Sequence, residues 1–133
     1  MPNYFPIPVE ARIKASTTNM ISLRWKQESI VADFLVPDDE TSILRVQFEK
    51  TLVVRVLDEM PLSTETEKTP NVGIVPDHFA YRVEDALFWQ TQSEALKSTF
   101  KSAQHYRFLT GWSCLDVIST TSPTTSVVPL SVN

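Results

Sequence analysis

A chain of 133 residues with 42% hydrophobic and 10% aromatic content suits one globular domain with a real core and is too short for two. Its formal charge of −4, with twelve scattered Lys and Arg, argues against a nucleic-acid partner, and no apolar run approaches the roughly eighteen residues that span a bilayer. Glycine occurs only at positions 73 and 111, too sparsely for phosphate-cradling loops or dinucleotide fingerprints.

The chain opens with Met-Pro-Asn-Tyr-Phe-Pro-Ile-Pro, an extended entry over residues 1–8, with no basic segment leading into an apolar one. No signal peptide is expected, and the single cysteine, Cys114, cannot form an internal disulfide, so the expected compartment is the cytoplasm. Val9, Ala11 and Ile13 alternate with charged residues and predict a first strand. Ile21, Leu23 and Trp25 predict a second, and Ile30, Ala32, Phe34 and Val36 a third. Pro37-Asp38-Asp39-Glu40 is a turn. It leads into Ile43–Met60, where Leu44, Val46, Phe48, Leu52, Val54 and Val56 hold the two-residue period of a half-buried strand. Glu49-Lys50-Thr51 could divide that segment into two strands or lie within one.

Residues 61–76 carry prolines, charges and no periodicity, and predict a long mobile loop. From Phe79 the spacing of Phe79, Val83, Ala86, Leu87 and Gln90 is helical. Thr91 with Glu94 resembles a capping box ahead of Leu96, Phe100 and Ala103, so one or two short helices are expected between Val83 and Ala103. His105–Thr120 reads as a hairpin whose two-residue turn is Gly111-Trp112. The tail, residues 121–133, is Ser/Thr-rich and loose, with Val127-Val128 available as an edge strand. The expected fold is α+β: one domain over residues 1–133, with a curved antiparallel sheet of about 5–7 strands and one or two helices packed on one face.

Chemistry is hard to find in this sequence. His78, His105 and Cys114 lack the spacing of metal ligands, and ordinary hydrogen bonding is the simpler role for the histidines. Cys114 lies inside an alternating strand rather than at a helix N-terminus, so it reads as a small hydrophobe, not a nucleophile. The acidic runs Asp38-Asp39-Glu40, Asp58-Glu59 and Glu84-Asp85 read as turns and caps before acid–base pairs. No catalytic residue, metal or cofactor is assigned.

Aromatic and charged residues remain as protein-contact candidates: Trp112 at the hairpin tip, Trp89, Arg107, and the polar face Arg45 and Arg55 with Asp58 and Glu59 at its end. The expected function is a non-enzymatic cytoplasmic interaction module for a protein partner, of the bacterial immunity, antitoxin or assembly type, with a homo-oligomer as one form. The ending His105–Thr110, Cys114–Ser119 and Pro123 resembles that of small bacterial proteins of this sort and carries no diagnostic residue. The alternative is a small-ligand or enzymatic domain with an aromatic cleft of Trp25, Phe48, Trp89 and Tyr106 between sheet and helix.

Overall fold

A computed structural model describes residues 2–10, 13–66 and 70–130, apart from the side chains of Glu59 and Thr66. Among these residues the chain is mostly β, 51% strand and 13% helix. The elements are β1 (Asn3–Pro6), β2 (Met20–Lys26), β3 (Ser29–Val36), β4 (Asp39–Phe48), β5 (Thr51–Asp58), α1 (Glu59–Thr66), β6 (Ala80–Glu84), α2 (Leu87–Gln90), α3 (Glu94–Thr99), β7 (Gln104–Leu109), β8 (Ser113–Ser119) and β9 (Thr124–Pro129). They form two antiparallel sheets, ordered β1-β6-β7-β8-β5 and β2-β3-β4-β9. This overturns the expected α+β fold, because what faces the sheet is a second sheet and not a layer of helices. Among the described residues, no helix is long and apolar enough to cross a membrane.

The core lies between the sheets. Ile30, Ala32, Phe34, Leu44, Val46 and Phe48 of the four-stranded sheet meet Ala80, Tyr106, Phe108, Leu115 and Val117 of the other, with Phe79 among them. Phe34 contacts Phe79 at 5.2 Å and Phe108 at 5.8 Å between ring centroids, and Phe48 contacts Tyr106 at 5.2 Å. Interdigitated aromatics of this kind fill the space between two inner faces.

The segment Ile43–Met60 explains how one alternating pattern makes a sandwich. It is two strands, with Glu49 and Lys50 as the corner between them, and β4 and β5 belong to different sheets. The corner is tied down by the Thr51 amide, which donates to the Glu28 carbonyl at 2.8 Å, and by the Ser119 hydroxyl and Thr120 amide on the Lys50 carbonyl. Leu44, Val46, Phe48 and Val54 all pack against the core, while an irregularity between Thr51 and Val53 lets Leu52 join Val53 in the outer cluster with Phe88 and Ile118. The odd residues therefore leave the molecule on opposite sides.

Short helices α2 and α3 do fall between Val83 and Ala103, but three further expectations fail. Val83 belongs to a strand that Phe79 directly precedes, because Tyr81 and Val83 pair with Arg107 and His105 on the outer face of the sheet while Ala80 pairs with Phe108 on the inner face. A strand buried on both faces loses its two-residue signature, and chance helical spacing then reads as a helix. Asp85, in the left-handed region at φ 65°, ends that strand. The helix cap is Ser93, whose Oγ accepts from the Leu96 amide at 3.0 Å, rather than Thr91. The predicted loop at 61–76 begins with α1 instead: Asp58 Oδ1 accepts from the Met60 amide at 3.0 Å, and Pro61 falls in the first turn, where its missing N–H costs no helical bond.

Ala11 and Arg12 of the predicted first strand lie outside the described residues, and Val9 and Glu10 are not in a strand. The first strand is Asn3–Pro6, whose Tyr4 amide donates to the Val72 carbonyl at 2.7 Å. Gly73 permits that contact. Its φ is 92°, and a Cβ there would sit 2.2 Å from the Tyr4 carbonyl oxygen. In the tail, β9 pairs with β4 as the edge of the four-stranded sheet.

Phe48 is fully buried against Tyr106 and Phe108. Phe48→Ala is expected to cost about 3–5 kcal/mol in urea unfolding. A cost near zero would show that the two sheets do not meet there.

Candidate functional site

The outer face of the five-stranded sheet carries the chain's most unusual chemistry. On the middle strands, His105, Arg107 and Asp116 point away from the inter-sheet core and are still buried, Arg107 and His105 at 1% exposure and Asp116 at 0%. Asp116 Oδ1 accepts from His105 Nε2 at 2.6 Å and from Arg107 Nε at 2.7 Å. Its Oδ2 accepts from Arg55 Nη2 at 2.7 Å and Nε at 3.1 Å. Arg107 Nη1 donates to the Tyr4 hydroxyl at 2.7 Å, and Arg55 forks onto Glu65 of α1 at 2.8 and 3.2 Å. Phe88 of α2 caps the cluster, 4.3 Å from the Arg55 guanidinium and 5.2 Å from the His105 ring.

Burial alone would raise the Asp116 pKa, but the hydrogen bonds from His105 and Arg107 and the charge of Arg107 outweigh it and hold the carboxyl well below its usual range. Burial also lowers the His105 pKa, more than Asp116 raises it. With Arg55 and Arg107 already opposite Asp116, His105 serves as a neutral donor through Nε2. Cys114 is fully buried, its thiol is pushed up by burial, and its Sγ lies 3.7 Å from Asp116 Oδ2. It is packing, not a nucleophile.

A second feature lies at one end of the sandwich. A groove of about 480 Å³ runs between α1, the 74–78 loop and the 109–113 turn, lined by Leu62, Ile74, Val75, Pro76 and Leu109 among others. Its walls are tied to the body. The Tyr81 hydroxyl donates to the Val75 carbonyl at 3.0 Å and accepts from its amide at 3.1 Å, and Asp77 Oδ1 accepts from the Ser16 amide at 3.1 Å. The turn is longer than the predicted two residues. Leu109 and Cys114 are the last pair, and the Thr110 hydroxyl accepts from the amides of Trp112 and Ser113 at 3.2 and 2.9 Å. Gly111 is needed for close approach, since a Cβ there would lie 2.8 Å from the Ser16 carbonyl oxygen.

The predicted contact residues separate. Trp112 is 58% exposed, between the groove-lining Gly111 and Ser113. Arg107, expected near it at the surface, is interior. Arg45 pairs with Asp33 at 2.9 and 3.2 Å on the outer face of the four-stranded sheet, while Arg55 lies on the outer face of the other sheet, so no common polar face joins them. Asp58 is an exposed cap, and the Glu59 side chain lies outside the described residues. Trp89 is half-buried against the small cluster of Phe88, Ala103 and Ile118. Phe48 and Tyr106 meet in the core, whereas Trp89 is on the other side of the five-stranded sheet, so the four aromatics of the expected cleft do not line one cavity.

Sequence reasoning missed Asp116, Glu65 and Tyr4. The available signal was Asp116 itself, a lone charge inside the apolar run Cys-Leu-Asp-Val-Ile. Among the described residues, no group of three or more His, Cys, Asp or Glu is placed to hold a metal ion. No family model, curated protein or solved structure gives a significant match to this chain.

The cluster predicts acid sensitivity in two stages. Unfolded His105 gains a proton near pH 6.5 that the folded protein resists, so stability should fall as the pH drops below about 6.5. Asp116 adds a further loss below about pH 4, where the unfolded carboxyl protonates first. Urea midpoints between pH 8 and 3 read both stages, and His105→Phe should remove the upper one; a wild-type profile flat from pH 7 to 5 would refute it. Asp116→Asn, which leaves two guanidiniums facing a neutral amide, should cost about 3–5 kcal/mol.

Proposed function

We propose that the chain is a non-enzymatic binding module that captures a protein partner at the groove beside Trp112. One observation carries this: a groove walled by Leu62, Ile74, Val75, Pro76 and Leu109 stands open at one end of the sandwich, with Trp112 exposed beside it. Ile74, Val75 and Trp112 are all substantially exposed there. Exposed apolar patches of this kind mark interaction sites, and tryptophan is among the residues most enriched in the anchors that dominate interface energies.

An acidic group in the groove's lining sets the partner's character: Asp77 is held ionised by its hydrogen bonds from Ser16. A segment with an apolar anchor and basic flanks complements that surface. Because the walls are hydrogen-bonded to the body, docking needs little rearrangement and loses little entropy. A cytoplasmic setting accords with a lone buried thiol. Toxin neutralisation and self-assembly are two forms of this one activity, separated by the product of the neighbouring gene and by sedimentation at several concentrations.

A random peptide library selected on the immobilised protein should enrich apolar sequences flanked by Lys or Arg. Trp112→Ala and Ile74→Glu should abolish that binding while shifting stability by only about 0.5 kcal/mol, the usual range for surface positions. Failure to enrich any sequence, or undiminished binding to both variants, would defeat the proposal. Unfolding of Trp112→Ala would show instead that the residue is structural.

A further inference from the structure

The outer faces of the two sheets differ in their cover. All three helices lie on the five-stranded sheet: α1 through Glu65 on Arg55, α2 and α3 through Phe88 and Leu96 in the cluster around Ile118. The four-stranded sheet turns its own outer face, between the edge strands β2 and β9, away from them. We infer that this face seats a second copy of the chain, packed sheet on sheet about a two-fold axis that crosses the strands at the row Leu35, Ile43 and Val128.

Three observations lead there. First, the face carries an apolar row. Leu35, Ile43 and Val128 are cross-strand neighbours, and each follows or precedes a residue of the core-facing row Phe34, Leu44 and Val127, so they point outward. Leu35 is 37% exposed. Leu130 adds to the row at 39%, its amide donating to the Thr41 carbonyl at 2.8 Å.

Second, charge is sorted along the strands on either side of that row. Towards one end stand Arg45 and Arg24, with Lys26 further along. The buried Asp33 between them is already held by Arg45 at 2.9 and 3.2 Å and by the Ser22 hydroxyl at 3.2 Å. Arg24 stands 3.7 Å from it, with its side chain 63% exposed. Glu49 and the Lys50–Glu28 pair lie beyond, at the strand ends. Towards the other end is the exposed turn Asp38-Asp39-Glu40, where Asp39 Oδ1 accepts from the Thr41 amide at 3.0 Å and its hydroxyl at 2.6 Å. A shallow hollow of about 660 Å³ joins Leu35 to that turn, so the apolar row and the acidic turn form one surface.

Third, the order base, apolar, acid is complementary to itself. Rotation about an axis across the strands reverses it, so Arg24 and Arg45 of one copy meet the acidic turn of the other, and the same contact occurs twice. An isologous interface requires this kind of self-complementarity. A uniformly acidic partner would be repelled by the turn and a uniformly basic one by the arginines. The four strands cover roughly 500 Å² in plan at the usual strand spacing and rise. That is small beside the roughly 800 Å² per partner of a standard interface, so the dimer is expected to be of micromolar strength. It is also independent of the groove: the 14–17 segment divides the two surfaces, Lys14 and Thr17 lining the hollow and Ala15 and Ser16 the groove.

Sedimentation equilibrium of the full chain from about 1 μM to about 1 mM should show a monomer–dimer equilibrium with no larger species. Raising NaCl to about 0.5 M should weaken it. R24E and D38R should each raise the dimer Kd about tenfold or more, because each charge is used twice. Mixed in equal amounts, the two variants should recover a one-to-one dimer near wild-type strength. One contact then pairs two reversed charges and the other keeps the native pair, and the recovery shows that both variants fold. Trp112→Ala should leave dimerisation unchanged. A monomer at every concentration would leave the face to a different partner and overturn the inference. So would a dimer indifferent to R24E or D38R, a mixture that fails to recover, or a dimer lost on Trp112→Ala, which would move self-association to the groove.

Discussion

The structure depends on keeping one carboxylate ionised inside a sheet. Asp116 sits in the strand next to the middle of the five-stranded sheet, with apolar residues before and after it, and no water reaches it. A buried, unpaired carboxylate would be prohibitive, so its partners are obligatory. They come from separate parts of the chain: Arg55 from β5, His105 and Arg107 from β7, and, one bond further out, Tyr4 from β1 and Glu65 from α1. Two carboxylates and two guanidiniums balance in charge, which lets His105 stay neutral. A cluster like this adds little net stability over a well-packed apolar core. It does penalise any register that breaks it. A one-residue slip of β8 against β7 would turn Asp116 into the inter-sheet core and leave both arginines without their shared partner.

That requirement also explains why the outer face of this sheet is covered at all. A five-stranded sheet with one face on a core can leave the other in water. Here α1 and α2 close over it, keeping dry the ion cluster and the Tyr4, Tyr81 and Val83 group beside it. The cover is irregular and short, so it stops before the ends of β7. The groove lies where it stops beside Leu109.

The legibility of the sequence follows the number of wet faces a strand has. In β4, Leu44, Val46 and Phe48 alternate with Arg45 and Gln47, and the pattern reads as a strand facing a core. In β7 and β8 both faces are buried, and the polar members of the alternation, Arg107 and Asp116, are the interior of a second layer, although a polar residue in such a pattern reads as surface. Periodicity reports polarity, and polarity stands for exposure only where charges are unpaired. The same limit hid the sandwich. An unbroken even phase from Leu44 to Val54 is equally compatible with one long strand and with two strands facing each other across a core. The corner at Glu49 and Lys50 is specified by hydrogen bonds from the Thr51 and Thr120 amides and the Ser119 hydroxyl, two of them from residues some seventy positions away. Trp112 was legible as an exposed aromatic because turn chemistry is local. The groove around it was not, because Leu62, Ile74 and Leu109 come together only in three dimensions.

The ion cluster and the groove share one element. Helix α1 presents Leu62 to the groove and Glu65 to Arg55, three residues apart and so less than one helical turn. An eight-residue helix is too short to hold its shape alone in water. Its position is therefore set by its ends: the Asp58 cap at the first turn and the Glu65–Arg55 fork at the last. Arg55 in turn is positioned by Asp116. The wall of the groove is thus carried by the charge that the sheet had to neutralise. A surface that recognises a partner and an interior that fixes strand register are, in this molecule, two ends of the same chain of hydrogen bonds.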